Sequence, residues 1–201
     1  MEIFILKCSD KYTEYKFKSF INSEYKNIDI KERKYFLKNT HDNSLGFKKN
    51  SWSIPLLEKS NRGIKGDCHF LKNSLINIFS KNFVNKLGDI LEEQGVLFPI
   101  KVEDRDDYFY RYWVINELNE KAVDINCSLG EMKKVFEESI SNRKLYDIAT
   151  NTPCIRKEYL ENISIFRLKG SNLMYVTETI VNYIDKYKLK GFLFTKVGNT
   201  V

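Results

Sequence analysis

From Ile163 to Val197 the apolar positions change period twice, and each change marks an element. Ile163, Ile165, Phe166 and Leu168 form a short apolar run closed by Lys169-Gly170-Ser171, which predicts a strand and a turn. Met174, Tyr175 and Val176 predict a second strand. Thr177 stands at the N-cap position with Glu178 in the first turn, where a carboxylate meets the positive end of the helix dipole. Ile180, Ile184 and Tyr187 then recur at helical spacing, and Val181 widens the stripe. Lys186, Lys188 and Lys190 gather at the helix end, and Gly191 is expected to stop it in the left-handed conformation. Phe192, Leu193, Phe194 and Val197 predict a half-buried strand.

The stretch Ile78 to Val102 follows the same order. Ser80 is the N-cap candidate, Phe83, Leu87, Ile90 and Leu91 form the helix stripe, Gly95 stops it, and Val96, Leu97, Phe98 and Ile100 give the strand. Setting Ser80 on Thr177 also sets Phe83 on Ile180, Val84 on Val181, Asn85 on Asn182 and Leu87 on Ile184. Two readings stand: an internal strand–helix–strand duplication, or the pattern that any capped helix feeding a strand produces. Pro99 has no N–H to give a ladder, so its strand is expected at an edge or a bulge.

Elsewhere the pattern is less regular. Ile3 to Leu6 opens with a strand, Tyr15 and Phe17 share a face of another, and Tyr35 to Leu37 suits a third. His41 to Asn50 and Asn61 to Asp67 are loops by composition, while Trp52, Ile54, Pro55 and Leu56 re-enter the core. Leu75 to Phe79 predicts a strand, and Tyr108 to Leu118 predicts one long central strand, aromatic and β-branched on both faces. Ala122 to Ile125 is extended. Met132, Val135, Phe136 and Ile140 have helical spacing, Leu145 to Ala149 suits a strand, and Arg156 to Glu161 suits one helical turn. Strands and helices mix without strict alternation. The expected class is α+β: a mixed, mostly antiparallel sheet with a few packed helices. No Gly/Ser- or Pro-rich linker interrupts the chain, so residues 1–201 are expected as a single domain, with a less regular portion over 1–60.

The formal net charge is +6, most of it lysine spread along the chain, and its first reading is a solvated surface. Cys8, Cys68, Cys127 and Cys154 are far apart with no C-x-x-C pair, which suits scattered core thiols in a reducing cytosol. No apolar run reaches the length of a membrane span, and the start MEIFILKCSD does not suit a signal peptide. A cytoplasmic protein is the plain expectation.

Chemistry-bearing motifs are absent. The sequence has no H-E-x-x-H, phosphate loop, G-x-S-x-G or G-x-G-x-x-G. Cys68-His69 are neighbours in sequence, but strand neighbours point to opposite faces, so neither a nucleophile–base couple nor a shared metal follows. No catalytic residue, metal or cofactor is expected. The densest charge cluster is Glu103-Asp104-Arg105-Asp106-Asp107, a hairpin tip whose acidic residues suit contact with a basic partner. Tyr108, Tyr110 and Tyr112 alternate onto one strand face, a sheet face or a stacking platform for bases.

Four stretches resemble a known family. They are GDCHFLKNSLINIFSKNFVNKL (Gly66 to Leu87), VLFPIKV (Val96 to Val102), YRYWVINELNEKAVDINCS (Tyr110 to Ser128), and IFRLKG with YVTETIVNYIDKYKLKGFLF (Ile165 to Phe194). Together they are similar to bacterial polymorphic-toxin immunity proteins of immunity family eleven, formerly a domain of unknown function. The likeness runs from about Trp52 onward, so 61–201 is the family-like core, and Gly66 replaces the proline usual before the Asp. The resemblance implies a non-enzymatic, cytoplasmic protein that binds a cognate toxin domain encoded nearby and blocks it by stoichiometric occlusion. From charge density and expected exposure, the toxin contact is assigned to Glu103, Asp104, Asp106 and Asp107. A nucleic-acid-binding or regulatory module is the alternative. Oligomeric state is left open.

Overall fold

The computed structural model describes residues 1–20, 54–61, 63–71, 76–103, 105–130, 133, 141–171 and 173–201. The class is α+β. The chain divides into two compact units. The sheet unit comprises Met1–Lys7, Val114–Tyr187 and Leu193–Val201, and the barrel unit comprises Cys8–Trp113 and Lys188–Phe192. Ser60, the expected end of the less regular portion, lies inside the barrel unit. The predicted strand at Tyr35–Leu37, the loop at His41–Asn50, Trp52 and the helix carrying Met132, Val135, Phe136 and Ile140 lie outside the described residues.

The barrel is closed in the order β2 (Glu14–Phe20), β3 (Pro55–Lys59), β6 (Gly95–Val102), β7 (Tyr108–Val114), β5 (Asn77–Ser80) and β4 (Cys68–Leu71). Alternating apolar residues fill it: Tyr15, Leu57, Leu71, Ile78, Ile100, Val102 and Phe109 are buried together. Helix α1 (Lys81–Gln94) buries Phe83, Leu87 and Leu91. Ser80 caps it as expected, its Oγ accepting from the Phe83 N–H at 3.1 Å. Closure leaves no barrel edge for Pro99. The described pairing of β6 with β3 covers only Lys101 and Val102, beyond the proline.

Gly95 does not end the helix in a left-handed turn, because its φ of −175° is extended and it already belongs to β6. Its role is close approach: a Cβ there would strike the Trp113 carbonyl and the Tyr112 ring of β7. Gly191 is left-handed, with φ +97°, and a Cβ would meet the Cys68 backbone; the preceding helix has already ended at Lys186, where Lys188 takes its own left-handed turn at φ 53°.

The sheet unit orders its strands β8 (Glu117–Leu118), β10 (Ile165–Leu168), β11 (Tyr175–Thr177), β1 (Glu2–Cys8), β12 (Phe192–Thr200) and β9 (Cys154–Ile155). Both edge strands have two residues, a length that limits edge-to-edge pairing. Helices α2 (Ile125–Leu129), α3 (Asn142–Ala149) and α4 (Glu178–Lys186) complete the unit with a 3₁₀ turn at Lys157–Leu160. The core joins Ile3, Ile5, Leu118, Leu145, Tyr146, Phe166 and Tyr175.

Three expected extended stretches differ. In Ala122 to Ile125, Ala122 closes a 3₁₀ turn, Val123 makes a lone bridge to Ile155 and Ile125 opens α2. Leu145 to Ala149 is part of α3: Leu145, Tyr146 and Ala149 are buried at i, i+1 and i+4, a helical face that so short an apolar run also fits. The single strand over Tyr108–Leu118 is broken at Ile115-Asn116, so β7 lies in the barrel and β8 in the sheet. Asn116 turns the chain there, its Nδ2 donating to the Ile165 carbonyl at 3.2 Å.

The echo seen in sequence is also an echo in topology. In the barrel, β4-β5-β7-β6 are neighbours in that order; in the sheet, β10-β11-β1-β12 are. Each set is an antiparallel hairpin, then a strand from elsewhere in the chain, then the strand that follows the helix. The superposition of Ser80 on Thr177 holds in register. Phe79 pairs with Cys68 and Tyr110, and Val176 pairs with Ile165 and Phe4. The Ser80 N–H donates to the Asp67 carbonyl at 2.9 Å, as Thr177 does to Ser164 at 3.0 Å. A capped helix feeding a strand does not by itself dictate shared partners on both sides. The caps differ in one respect: Thr177 occupies its N-cap position without a side-chain cap bond.

All four cysteines are paired, Cys8 with Cys68 and Cys127 with Cys154. This corrects the expectation of scattered core thiols. The fold closes separations of 60 and 27 residues, which spacing alone does not reveal. No helix among the described residues is long and apolar enough to cross a membrane.

Candidate functional site at one end of the barrel

Strand directions bring the chemistry-bearing loops of the barrel unit together. β2 runs parallel to β4, β4 antiparallel to β5, β5 antiparallel to β7, and β3 antiparallel to β2. The starts of β2, β4 and β7 and the end of β3 therefore share one end of the barrel. Loops 9–13, 60–67 and 103–107 lie there. The returning segment 188–191 is bonded to the same end, through Asp67 N–H and Cys68 N–H to the Lys190 carbonyl at 2.7 and 3.2 Å and Ser9 N–H to the Gly191 carbonyl at 2.8 Å.

Two side chains fix these loops, half-buried Asp67 and buried His69. Asp67 Oδ1 accepts from Ser80 Oγ at 2.7 Å and Asn82 Nδ2 at 3.0 Å, while Oδ2 accepts from the Lys190 N–H at 2.9 Å. It ties helix α1, strand β4 and segment 188–191 into one knot. His69 is fully buried between the rings of Tyr15 and Phe109, at 5.3 and 5.5 Å. Its Nδ1 lies 3.1 Å from the Thr13 carbonyl and Nε2 2.9 Å from the Gly66 carbonyl. A neutral ring has one N–H and donates to one of them. Burial pushes the His69 pKa below its ordinary value, against the pull of those two carbonyls. A folded-state pKa below the unfolded one means the unfolded chain binds more protons between the two values. Stability is therefore expected to fall as pH drops below about 6.5 toward the folded pKa. Melting temperatures between pH 7.5 and 5 check this in a His41→Gln background, with His69→Phe removing the slope.

The acidic loop, the sequence-based candidate, is exposed at this end. Glu103, Asp106 and Asp107 are solvent-accessible, and Asp104 lies outside the described residues. Two of its carboxylates, those of Glu103 and Asp107, have lysine partners, and a third lysine meets its backbone. Lys18 pairs with Glu103, Lys81 lies 3.9 Å from Asp107, and Lys101 Nζ donates to the Asp106 carbonyl. Arg105 folds back with its guanidinium 4.9 Å from the Phe109 ring centre. These lysines come from β2, α1 and β6, so only the fold brings them to the loop.

The tyrosine face does not form a stacking platform. The Tyr112 hydroxyl donates to the Leu91 carbonyl of α1 at 3.0 Å, and burial raises its pKa. Tyr110 is half-buried, and Tyr108 alone is open, with Lys101 5.2 Å from its ring centre. Cys68 and His69 are both buried, in separate roles, as the strand argument requires.

Sequence reasoning missed Ile64. It is 61% exposed and Tyr108 is 40% exposed, and both belong to this barrel end. Among the described residues they are the only exposed large hydrophobic residues of the barrel unit; the others, Met1, Ile115, Leu193 and Val201, lie in the sheet unit. Charge is as uneven. The barrel unit has 21 Lys and Arg against 15 Asp and Glu, the sheet unit 12 against 12, so the whole excess of +6 belongs to the barrel unit. No protein-family model matches the chain, and no curated protein matches it.

Proposed function

We propose that this protein is an immunity protein that binds a cognate bacterial toxin domain and neutralises it by stoichiometric occlusion. The observation that carries the reading is the barrel end: two exposed apolar residues, charges of both signs, and loops held by hydrogen bonds of Asp67 and His69. That combination suits protein–protein contact, where a few apolar anchors supply affinity and surrounding charge supplies partner choice. The family resemblance over Gly66 to Phe194 points the same way. The reading needs no catalysis and no cofactor. It takes the acidic loop, Glu103, Asp104, Asp106 and Asp107, as the contact for basic groups of the toxin. Reversing Glu103, Asp106 and Asp107 to lysine is expected to weaken binding of the toxin domain from the neighbouring reading frame about tenfold or more, with the melting temperature kept. Unchanged affinity removes the loop from the interface.

A nucleic-acid-binding or regulatory role is the second reading, favoured by the concentration of net charge in the barrel unit. It predicts binding to random-sequence DNA or RNA that weakens steeply with salt. A cytoplasmic location goes with the immunity reading. The cysteine pairs instead favour an oxidising compartment, and fractionation with thiol alkylation tells the two apart.

A further inference from the structure

Ile64 is held as an exposed apolar point on a rigid base. Its N–H donates to the Lys11 carbonyl and its carbonyl accepts from the Thr13 N–H, both at 3.1 Å. Thr13 Oγ1 donates to the carbonyls of Gly63 and Ile64, at 2.9 and 3.1 Å. Gly63 and Gly66 pack so closely on Tyr12 that a Cβ at either would clash. Four lysines here are exposed: Lys11 and Lys65 flank these bonds, and Lys188 and Lys190 belong to the returning segment, which bonds to Ser9, Asp67 and Cys68. None of the four has a carboxylate within ion-pair distance among the described residues, in contrast to Lys16, Lys18 and Lys81 nearby. The Asp67 carboxylate is already occupied by Ser80, Asn82 and the Lys190 N–H.

We infer that Ile64 with Lys11, Lys65, Lys188 and Lys190 forms a docking surface for a protein partner that presents an apolar recess ringed by acidic groups to this surface, beside the basic groups that meet the acidic loop. The inference rests on the immunity reading and specifies its partner. A branched aliphatic side chain left open on a fixed loop gains by burial in a protein recess. It offers no ring face on which a base could stack. Bonds to Lys11 and Thr13 already hold Gly63 and Ile64, so docking does not carry the entropy cost of arranging them. The four unmatched cations supply steering and choice of partner. In the acidic loop at the same barrel end, by contrast, Glu103 and Asp107 have lysine partners.

The test is titration calorimetry with the C-terminal domain of the neighbouring reading frame, at low and moderate salt, and in parallel with a 20-nucleotide oligo-dT strand. Ile64→Asp is expected to weaken domain binding about 30-fold, and the combined K11E/K65E/K188E/K190E variant about 100-fold with loss of salt dependence. Both should melt as the native chain does. Ile64→Ser, expected to weaken binding about tenfold, serves if the multiple variant folds poorly. Native-strength binding by Ile64→Asp while the native chain binds the domain overturns this surface and leaves the immunity reading standing. Binding of oligo-dT through the lysines, indifferent to Ile64 and without binding of the domain, overturns both. Binding of neither probe also overturns both.

Discussion

Replacing Cys8 and Cys68 together by alanine is expected to lower stability by about 4 kcal/mol. The pair closes a separation of 60 residues, and a cross-link of that span removes conformational freedom mainly from the unfolded chain. In a chain of this size the loss corresponds to a fall in melting temperature of roughly 10 °C. The pair also sits at the candidate site, since Cys68 opens β4 beside His69 and its N–H bonds to the Lys190 carbonyl. Cys127–Cys154 spans 27 residues, for which the same argument gives about 3.5 kcal/mol. The two pairs differ in access. Cys8 and Cys68 are buried, whereas Cys127 is exposed. Mild reductant is therefore expected to open the second pair first, read by alkylation and intact mass before and after denaturation. Four thiols alkylated in the native, unreduced protein would contradict both pairings.

Glu117→Ala is the second large effect, expected at about 3–5 kcal/mol in urea denaturation. Glu117 Oε2 lies 2.8 Å from Arg167 Nη2 across the parallel pair β8–β10, and the Arg167 side chain is 2% exposed. Burial pulls the Arg167 pKa down to about 10, a measure of how poorly this site solvates a cation. Removing the carboxylate takes the 2.8 Å charge pair from a cation that this site solvates poorly. The natural control is Glu120→Ala. Glu120 lies 3.7 Å from Lys169 with both side chains at least 60% exposed, and such a pair is expected to contribute below 1 kcal/mol. Equal costs for the two variants would sink the burial argument.

What could be read from sequence follows the range of the interactions involved. Ser80, Phe83, Leu87 and Leu91 specify α1 through contacts within a few residues, and the Ser80 cap is made as the pattern requires. The strand–helix–strand echo was legible for the same reason. Its sheet neighbours were not: β7 and β1 reach equivalent places from unrelated points in the chain. Gly95 looked like a helix stop because a glycine after a helix usually is one, whereas here it clears space for Trp113 and Tyr112. Leu145 to Ala149 was too short for period alone to choose between helix and strand. The cysteine pairs depend on closures that no spacing rule contains.

The candidate site divides along the same line. The acidic loop stands out in sequence because its charges are consecutive. The lysines that contact it, Lys18, Lys81 and Lys101, come from three different elements. Ile64 gave no signal, since one isoleucine between glycines in NRGIKGD looks like any loop residue. Its exposure, and the company of Lys11, Lys188 and Lys190, exist only once β2, β4 and the returning segment share a barrel end.

The central claim is that this chain neutralises a toxin by binding it. Its most direct test is to express the C-terminal domain of the neighbouring reading frame in a test bacterium, with and without this chain. The account predicts growth arrest by the domain alone, rescue on co-expression, and a stable one-to-one complex on size exclusion. Toxicity that persists with this chain present, with no complex formed, would contradict it.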